Sequence, residues 1–241
     1  MWPFGVSRRT VRSRGLRFTM RCDNPILRYR CVAYNTKEPE TLEWIDRWVR
    51  DGETFFDVGA NIGSYTIYAA LRRPGARVVA FEPEYANLHL LRDNLMDNGL
   101  QGRVEIYSIA LGNRTGLSRL HIQDATPGAA LHTESNGNLT QTRMQKPVIW
   151  HEGIAIYTMD AFCQARGVWP NCLKLDVDGT EAEIFEGAAQ TLQRPALRAI
   201  IVETFGVEKA RDTCARLLTA SGLQREWCGT GPDSNEIWVR A

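Results

Sequence analysis

Phe55–Thr66 reads F-F-D-V-G-A-N-I-G-S-Y-T, and this stretch decides the fold. The apolar residues up to Val58 predict a buried strand, and a helix is predicted over residues 62–71. Gly59 and Gly63 lie in the turn between the two, where the lack of a Cβ atom permits unusual backbone angles and the close approach of a ligand. Because a helix N-terminus favours negative charge, we expect a carboxylate or phosphate to bind at this turn.

The alternation of strand and helix continues along the chain. Further strands are predicted over residues 77–81, 104–109, 154–157, 172–175 and 199–203, and further helices over residues 85–97, 159–166, 181–192 and 209–220. Continuous apolar strands separated by helices indicate a parallel sheet covered on both faces. The segment G-T-G-P-D-S-N joins two last strands, 224–227 and 236–240, so the chain should end on an antiparallel strand. The predicted fold is α/β, a doubly wound and mostly parallel sheet.

Two units are expected along the chain. Residues 1–50 form a preface that consists of a basic arm, short strands over 17–34 with a turn at Asp23–Pro25, and an amphipathic helix over 39–50. Residues 51–241 form the main domain. Its regular alternation breaks between about 113 and 153, where polar and glycine residues crowd a stretch with weak strand signals at 117–122 and 147–150. We interpret this stretch as an insertion or lid.

Composition excludes several classes of protein. The 241 residues are 44% hydrophobic and 24% charged, which is typical of a globular chain. No apolar run reaches membrane-spanning length, the first residues lack the apolar core of a secretory signal, and a cytoplasmic location is expected. The six cysteines form no C-x-x-C pair, so neither a zinc cluster nor a short redox motif is indicated.

The charge is unevenly distributed. Residues 1–30 hold eight arginines against one acid, Asp23, and the rest of the chain is mildly acidic. A nucleic-acid partner is therefore not expected. The arm from Arg8 to Arg21 is a candidate for peripheral contact with anionic lipid, although a solvated tail is the simpler interpretation. The oligomeric state is left open.

Two acidic residues near the glycine turn indicate the ligand. Asp57 lies at the tip of the first strand, where a carboxylate would repel pyrophosphate and attract an amine. Glu82 follows the second strand, 19 residues beyond Gly63, and can accept hydrogen bonds from both hydroxyls of a ribose. A ligand that joins an amino acid to a nucleoside is S-adenosylmethionine. An NAD-dependent oxidoreductase is the alternative, but the spacing G-x-x-x-G departs from the dinucleotide fingerprint.

A second acidic motif, K-L-D-V-D-G-T-E, covers Lys174–Glu181. Its strand should lie beside the first strand, so that Asp176 and Asp178 face the reactive centre. There they can orient an acceptor hydroxyl, take its proton, or hold a divalent cation together with Glu203. D-x-D-G-T also matches the nucleophile motif of haloacid dehalogenase-like phosphatases, but the chain beyond it holds a single lysine, Lys209, and no adjacent acid pair.

Histidine supplies further candidates for a general base. His121, His132 and His151 lie in or beside the predicted lid, and none has metal-ligand spacing. We take His151 as the catalytic candidate, next to Asp176 and Asp178.

These motifs resemble the FkbM family of S-adenosylmethionine-dependent methyltransferases. The resemblance covers roughly residues 35–205 and rests on the two long motifs together with F-E-P at Phe81–Pro83, A-L-G at Ala110–Gly112 and T-M-D-A-F at Thr158–Phe162. Where the family usually has D-V-E-G, this chain has D-V-D-G.

The resemblance implies the seven-stranded, Rossmann-like sheet of class I methyltransferases and O-methylation of a hydroxyl on a sugar, glycan or natural product. It also implies positions for the donor. Asp57, Gly59, Asn61 and Gly63 would hold its methionine part, Glu82 its ribose, and the backbone of Ser108–Ala110 its adenine. Asp176 would face the methyl group.

Overall fold

The computed structural model describes residues 6–141, 145–205, 208–230 and 233–240. In chain order the elements are β1 (Arg8–Ser13), β2 (Leu16–Arg21), α1 (Pro25–Val32), α2 (Pro39–Trp48), β3 (Thr54–Val58), α3 (Ser64–Arg72), β4 (Arg77–Phe81), α4 (Tyr85–Asp97), β5 (Val104–Tyr107), β6 (Ile109–Gly112), β7 (Gly116–Ile122), β8 (Thr133–Glu134), β9 (Trp150–Thr158), α5 (Met159–Arg166), β10 (Cys172–Leu175), α6 (Glu181–Glu186), α7 (Ala189–Gln193), β11 (Ala199–Phe205), α8 (Glu208–Ala220), β12 (Leu223–Cys228) and β13 (Asp233–Arg240). None of the helices in the described ranges is long and apolar enough to cross a membrane.

The central sheet has seven strands in the order β12-β13-β11-β10-β3-β4-β5. Strands β11, β10, β3, β4 and β5 are parallel, and β13 runs antiparallel to both β11 and β12. This confirms the predicted doubly wound sheet with an antiparallel C-terminal strand. The chain moves from β3 outward to β5 and then crosses to β10 on the other side of β3. The strand order therefore reverses between β3 and β10, which is where such sheets bind ligands.

Burial on both faces explains why β3 has no polar alternation. Phe55 and Phe56 are both 0% exposed and point to opposite faces of the sheet. Phe55 packs with Trp44 and Ile67 in one apolar core, and Phe56 packs with the other core on the opposite side. Burying each large apolar side chain contributes about 1.5–3 kcal/mol. Strand β3, which begins at Thr54, is therefore suited to the middle of the sheet.

The N-terminal residues correct two expectations. Residues 17–34 do not form only short strands, because β2 ends at Arg21 and helix α1 follows it. The helix begins there because Asn24 accepts a hydrogen bond from the backbone N–H of Leu27 at 2.9 Å, and because Pro25, at the first helical position, has no N–H to satisfy. Asn-Pro is therefore a helix start in this chain, where a turn between strands was expected.

The basic arm is folded and is not a solvated tail. Strands β1 and β2 form an antiparallel hairpin whose Phe18 belongs to the same apolar core as Phe55. Arg8 is ion-paired with Asp97 on α4 at 2.8 Å, and Arg14 with Asp46 on α2 at 2.6 Å. Some arginines of this hairpin thus attach it to two helices. Contact between the hairpin and anionic lipid stays a prediction.

The predicted insertion contains regular structure. Strands β7 and β8 fall within it, and together with β6 and β9 they form a second sheet of four strands in the order β6-β9-β7-β8. The signal at 117–122 corresponds to β7, while the signal at 147–150 only reaches the start of β9. The predicted strand over 104–109 is divided between β5 and β6, which belong to different sheets. The insertion is thereby attached beside the ligand end of the central sheet.

Candidate active site

A cleft of about 380 Å³ opens at the carboxyl ends of β3, β4, β10 and β11. Its polar lining includes Gly59, Asn61, Glu82, Asp176, Asp178 and Glu203. These residues follow β3, β4 and β10 or, in the case of Glu203, lie near the end of β11. The parallel sheet brings them together because it places all four carboxyl ends on one edge.

The turn after β3 needs glycine for two separate reasons. Gly59 has a φ of +76°, and a Cβ on it would lie 1.7 Å from the main-chain oxygen of Asp176. Gly63 has a φ of +86°, and a Cβ there would lie 2.4 Å from Leu91 Cδ1. Gly59 lines the cleft, whereas Gly63 packs behind it against α4 and precedes α3 as its N-cap. Only the first glycine is thus in a position to face a ligand.

The backbone N–H groups of this turn are already used. Those of Gly59 and Ala60 both donate to Phe81 O at 3.0 Å, and that of Gly63 donates to Ala60 O at 2.9 Å. Asn61 N donates to Glu82 Oε2 at 2.7 Å, and Ile62 N donates to Asn61 Oδ1 at 2.9 Å. The expectation that these groups bind an anion does not fit this arrangement, because each of the five has an acceptor within the protein.

Glu82 is held rigidly at the tip of β4. Its two carboxyl oxygens accept hydrogen bonds from Asn61 N at 2.7 Å and Glu84 N at 2.9 Å, and each oxygen keeps a second lone pair. Burial raises the pKa of Glu82 to about 8, and the charges of Glu84 and Asp178 add to the effect, while the two backbone hydrogen bonds oppose it. The side chain lines the cleft and is fixed in orientation before any ligand binds.

Asp57 lies behind the cleft. Its side chain is 1% exposed, Oδ2 accepts a hydrogen bond from Thr66 Oγ1 at 2.6 Å, and Oδ1 is 3.3 Å from Lys174 Nζ. Asp57 does not line the cleft. Direct contact between Asp57 and the amine of a ligand, as expected above, is therefore not supported by its position. The carboxylate is directed inward because the buried ammonium of Lys174, on the neighbouring strand β10, needs an ionic partner.

Lys174 also reaches Asp176, the residue predicted to face the reactive centre. Its Nζ is 3.4 Å from Asp176 Oδ2, and the Asp176 side chain is 23% exposed toward the cleft. Burial opposes ionisation of Asp176, but the charge on Lys174 and a hydrogen bond from Glu203 outweigh it and hold the pKa of Asp176 low. The charge on Asp176, followed by burial, raises the pKa of Glu203. At neutral pH the pair is therefore an ionised aspartate with a protonated glutamate beside it.

Asp178 connects the cleft to the insertion. Its Oδ2 accepts a hydrogen bond from Leu131 N at 2.5 Å, and its backbone is left-handed, with a φ of +60°. Burial, and then the charge on Asp176, raises the pKa of Asp178 to about 7.

Residues 127–131 of the insertion form a strap along the cleft. Ala129 O accepts from Asn61 Nδ2 at 2.9 Å and from Asn87 Nδ2 at 3.0 Å, and Gly128 O accepts from Arg30. The predicted lid thus reaches the site through this strap.

The adenine end was predicted at Ser108–Ala110. Ala110 is buried and lines a small apolar extension of the cleft, together with Phe81, Leu111 and Val177. Ser108 is exposed and lines neither the cleft nor this extension. The mostly apolar lining of this extension is of the kind that packs against an aromatic ring.

The histidine prediction needs correction. His151 is exposed on β9, its Nδ1 lies 3.0 Å from His121 Nδ1, and it does not line the cleft. It points away because β9 pairs in register with β7 and aligns these two histidines across the second sheet. His132 lines both the cleft and its apolar extension instead. Burial lowers its pKa, so its imidazole is neutral at physiological pH.

The proposed cation ligands do lie in one cleft. However, within the described part of the chain no group of three His, Cys, Asp or Glu side chains has an arrangement suited to a metal ion.

Two cations at the cleft were not predicted. Arg30, on α1, and Lys37, in the loop before α2, both line it. Neither belongs to a recognisable motif, and both come from the preface, so only the packing of the hairpin and α1 against the main sheet brings them to the site.

Solved structures share this fold. The chain resembles the precorrin-6y C5,15-methyltransferase of Geobacter metallireducens GS-15 with a TM-score of 0.51 and 14% identity, over 85% of this chain and 87% of that one. It also resembles Aeropyrum pernix fibrillarin, solved with bound S-adenosylmethionine, with a TM-score of 0.54 and 10% identity, over 99% and 85% of the two chains. At these identities the comparisons show the class I methyltransferase fold.

Curated proteins are more similar in sequence. The 31-O-demethyl-FK506 methyltransferase FkbM of Streptomyces tacrolimicus is 28% identical over 195 residues, which cover 73% of this chain and 74% of that protein. Methyltransferase 1 of Beauveria bassiana (strain ARSEF 2860) is 27% identical over 150 residues, 57% of this chain and 59% of that protein. The model of the methyltransferase FkbM domain matches residues 57–221, more than half of the chain. The protein therefore belongs to the FkbM family of methyltransferases.

Proposed function

We propose that the protein is an S-adenosylmethionine-dependent O-methyltransferase whose acceptor is a hydroxyl group on a sugar, glycan or natural product. The single observation that carries the proposal is the position of Asp176, paired with the buried Lys174, at the switch point of the sheet and in the same cleft as the fixed carboxyl group of Glu82. The name of the Streptomyces tacrolimicus relative, which refers to an O-demethylated natural product, supports the acceptor class.

The described residues fit the methyl donor. Glu82 would accept hydrogen bonds from the ribose hydroxyls through the lone pairs that its two backbone contacts leave open. The extension beside Ala110 and Val177 would hold adenine, and Gly59 lines both the cleft and this extension. The donor supplies an electrophilic methyl group on a sulfonium ion, and the carboxylate of Asp176 in the cleft favours that positive charge.

Asp176 would orient the acceptor and receive its proton. Transfer of a methyl group from sulfur to a hydroxyl oxygen forms a C–O bond, breaks a C–S bond and releases the hydroxyl proton. Asp176 can accept a hydrogen bond from that hydroxyl because Lys174 keeps it ionised and its side chain is open to the cleft. General-base assistance of this kind typically contributes about 10²–10⁴-fold to the rate.

Two measurements test the proposal. Calorimetry should show binding of S-adenosylmethionine and of S-adenosylhomocysteine, and no binding of NAD. Incubation with methyl-labelled donor and a panel of free sugars, glycans and hydroxylated natural products should yield a product heavier by one CH₂ group and stable to mild base, as an ether is and an ester is not.

Asp176→Asn is the matched variant for the chemical step. It should keep the affinity for S-adenosylhomocysteine and lose label transfer by about 10²–10⁴-fold. Binding of NAD alone would overturn the choice of donor. Full transfer by Asp176→Asn, or a methyl group found on nitrogen, would overturn the assigned chemistry.

A further inference from the structure

The amino-acid end of the proposed donor carries a carboxylate, which needs hydrogen-bond donors or a cation. In many nucleotide-binding folds the free N–H groups of the glycine turn provide them. Here the N–H groups from Gly59 to Gly63 all donate within the protein. These five N–H groups are therefore not available to the carboxylate, and two cations that line the cleft, Arg30 and Lys37, are the candidates for its counter-charge.

Arg30 and Lys37 lie where that end of the donor would extend. Besides the cleft, both line a side cavity of about 40 Å³ that starts at Gly59 and Asp176 and continues past Ser64. Glu82, the proposed ribose ligand, lines the main cleft but not this cavity. The cavity thus leads away from the ribose position, on the side of the reactive centre where the amino-acid part would lie.

The two cations differ in how they are held. Arg30 Nε and Nη2 donate to Gly128 O at 3.0 and 2.8 Å, and no carboxylate among the described residues lies within ion-pair distance of the guanidinium. Lys37 is paired with Glu38, and its side chain is 40% exposed. Arg30 therefore presents a charge that the protein does not neutralise with a direct ion pair, held in place through two of its N–H groups.

We infer that Arg30 and Lys37 form the subsite for the carboxylate of the methyl donor. This inference rests on the proposed function and adds to it, because both residues precede the segment 57–221 that matches the FkbM domain. Helix α1 and the loop between α1 and α2 are then part of the donor site, since they supply these two positive charges.

Binding of two nucleosides distinguishes contact with the donor carboxylate from a general structural role of Arg30 and Lys37. S-adenosylhomocysteine has the carboxylate, whereas 5′-methylthioadenosine has the same adenosine and sulfur without the amino-acid end. In calorimetric titrations, Arg30→Gln and Lys37→Gln should each lower the affinity for S-adenosylhomocysteine by about tenfold, because a charge-assisted hydrogen bond is lost. The affinity for 5′-methylthioadenosine should change by less than about twofold.

Two matched variants serve as controls. Arg28→Gln removes an exposed cation from α1 that does not line the cleft or the side cavity, and it should leave both affinities unchanged. Arg30→Lys keeps the charge but gives up the paired hydrogen bonds to Gly128 O, and it should retain most of the affinity for S-adenosylhomocysteine.

The outcomes are distinguishable. Unchanged affinity for S-adenosylhomocysteine in both Gln variants, or an equal loss for both nucleosides, overturns the subsite while the proposed function stands. If the unaltered protein binds neither nucleoside, the proposed function fails and the subsite fails with it.

Discussion

Gly59 and Asp176 lie so close together that no side chain fits between them. A Cβ on Gly59 would be 1.7 Å from the main-chain oxygen of Asp176 and 2.8 Å from its carbonyl carbon. Backbone hydrogen bonds produce this approach, because Asp176 N donates to Val58 O at 3.1 Å and Gly59 N donates to Phe81 O at 3.0 Å. The ends of β3, β4 and β10 are thereby joined at the proposed donor site.

Gly59→Ala should therefore be strongly destabilising. The left-handed backbone alone costs an alanine about 1–2 kcal/mol, and the contact with a main-chain oxygen forces a backbone shift that adds about 1–3 kcal/mol. Gly99→Ala is the matched control, because Gly99 has a φ of +67° and nothing within 4 Å of a Cβ. Chemical denaturation should show a clearly larger loss for Gly59→Ala. Equal losses would mean that the strand ends can separate at little cost.

Much of this edge of the sheet was predictable from sequence. The apolar strand before Gly59, the position of Glu82 after the next strand, and the neighbouring strand that ends before Asp176 each follow from local patterns. Helix α4 and strand β4 were predicted to the residue, because Pro83 separates the two and Gly99 follows the helix.

The remainder depends on contacts that local patterns do not contain. Asp57 was expected to face the ligand, but a buried Lys174 on the neighbouring strand draws its carboxylate inward. The pairing of these two strands was predicted, but only their register, which places Lys174 opposite Asp57, reveals this contact. His151 was preferred to His132 because the register of β7 and β9 was unknown. Arg30 and Lys37 reach the cleft through the packing of the preface, which no motif in the sequence records.

Donor affinity should depend on pH through Glu82. Its carboxylate accepts hydrogen bonds from ribose best when ionised, and burial raises its pKa to about 8. As the pH rises through that value the ionised fraction increases, so S-adenosylhomocysteine should bind more tightly, by up to about tenfold between about pH 7 and pH 9.

Glu82→Gln removes the titrating group but keeps the shape of the side chain. The variant should bind S-adenosylhomocysteine more weakly than the unaltered protein at about pH 9, and with a flatter pH profile. Both proteins should be measured by calorimetry over this pH range. Titration of the ligand itself affects both in the same way, so the difference between the two profiles reports on Glu82. Parallel profiles for the two proteins would exclude Glu82 as the titrating acceptor.

Lys174→Met should destabilise the fold by about 3–5 kcal/mol, because it leaves the buried carboxyl group of Asp57 and the partly buried one of Asp176 without their shared cation. Arg77→Met is the control, because its pair with Glu105 is largely exposed and should contribute less than about 1 kcal/mol.

The loss of stability in Lys174→Met should also depend on pH, and its direction can be stated. Without the ammonium, protonation of one carboxyl group in the folded state relieves the repulsion, so the folded state of the variant binds more protons than the unfolded state does. Its deficit in free energy of unfolding should then shrink as the pH falls from about 7.5 to about 5.5. Adding Asp57→Asn should recover part of the stability. A deficit that is constant with pH would show that packing, and not charge, determines the effect.

The strap over residues 127–131 should open more readily when Asp178 cannot accept its hydrogen bond. Asp178→Ala leaves Leu131 N without its acceptor and should lower the opening free energy of that amide by about 1–2 kcal/mol, measured by native-state hydrogen exchange. Asp178→Asn is the matched variant, because asparagine keeps an acceptor oxygen and tolerates the left-handed backbone at this position.

Comparison with Asp178→Asn also distinguishes the effect of the charge on Asp178 from that of its hydrogen bond to Leu131. The pKa of Asp178 is raised to about 7, chiefly by burial, and the ionised carboxylate is the stronger acceptor. In the unaltered protein the protection factor of Leu131 should therefore fall as the pH drops through about 7, whereas in Asp178→Asn it should not change with pH. If Leu131 exchanges at the same protected rate in Asp178→Ala, the strap is held by its other contacts, which include those with Asn61, Asn87 and Arg30, and Asp178 has no part in closing the cleft.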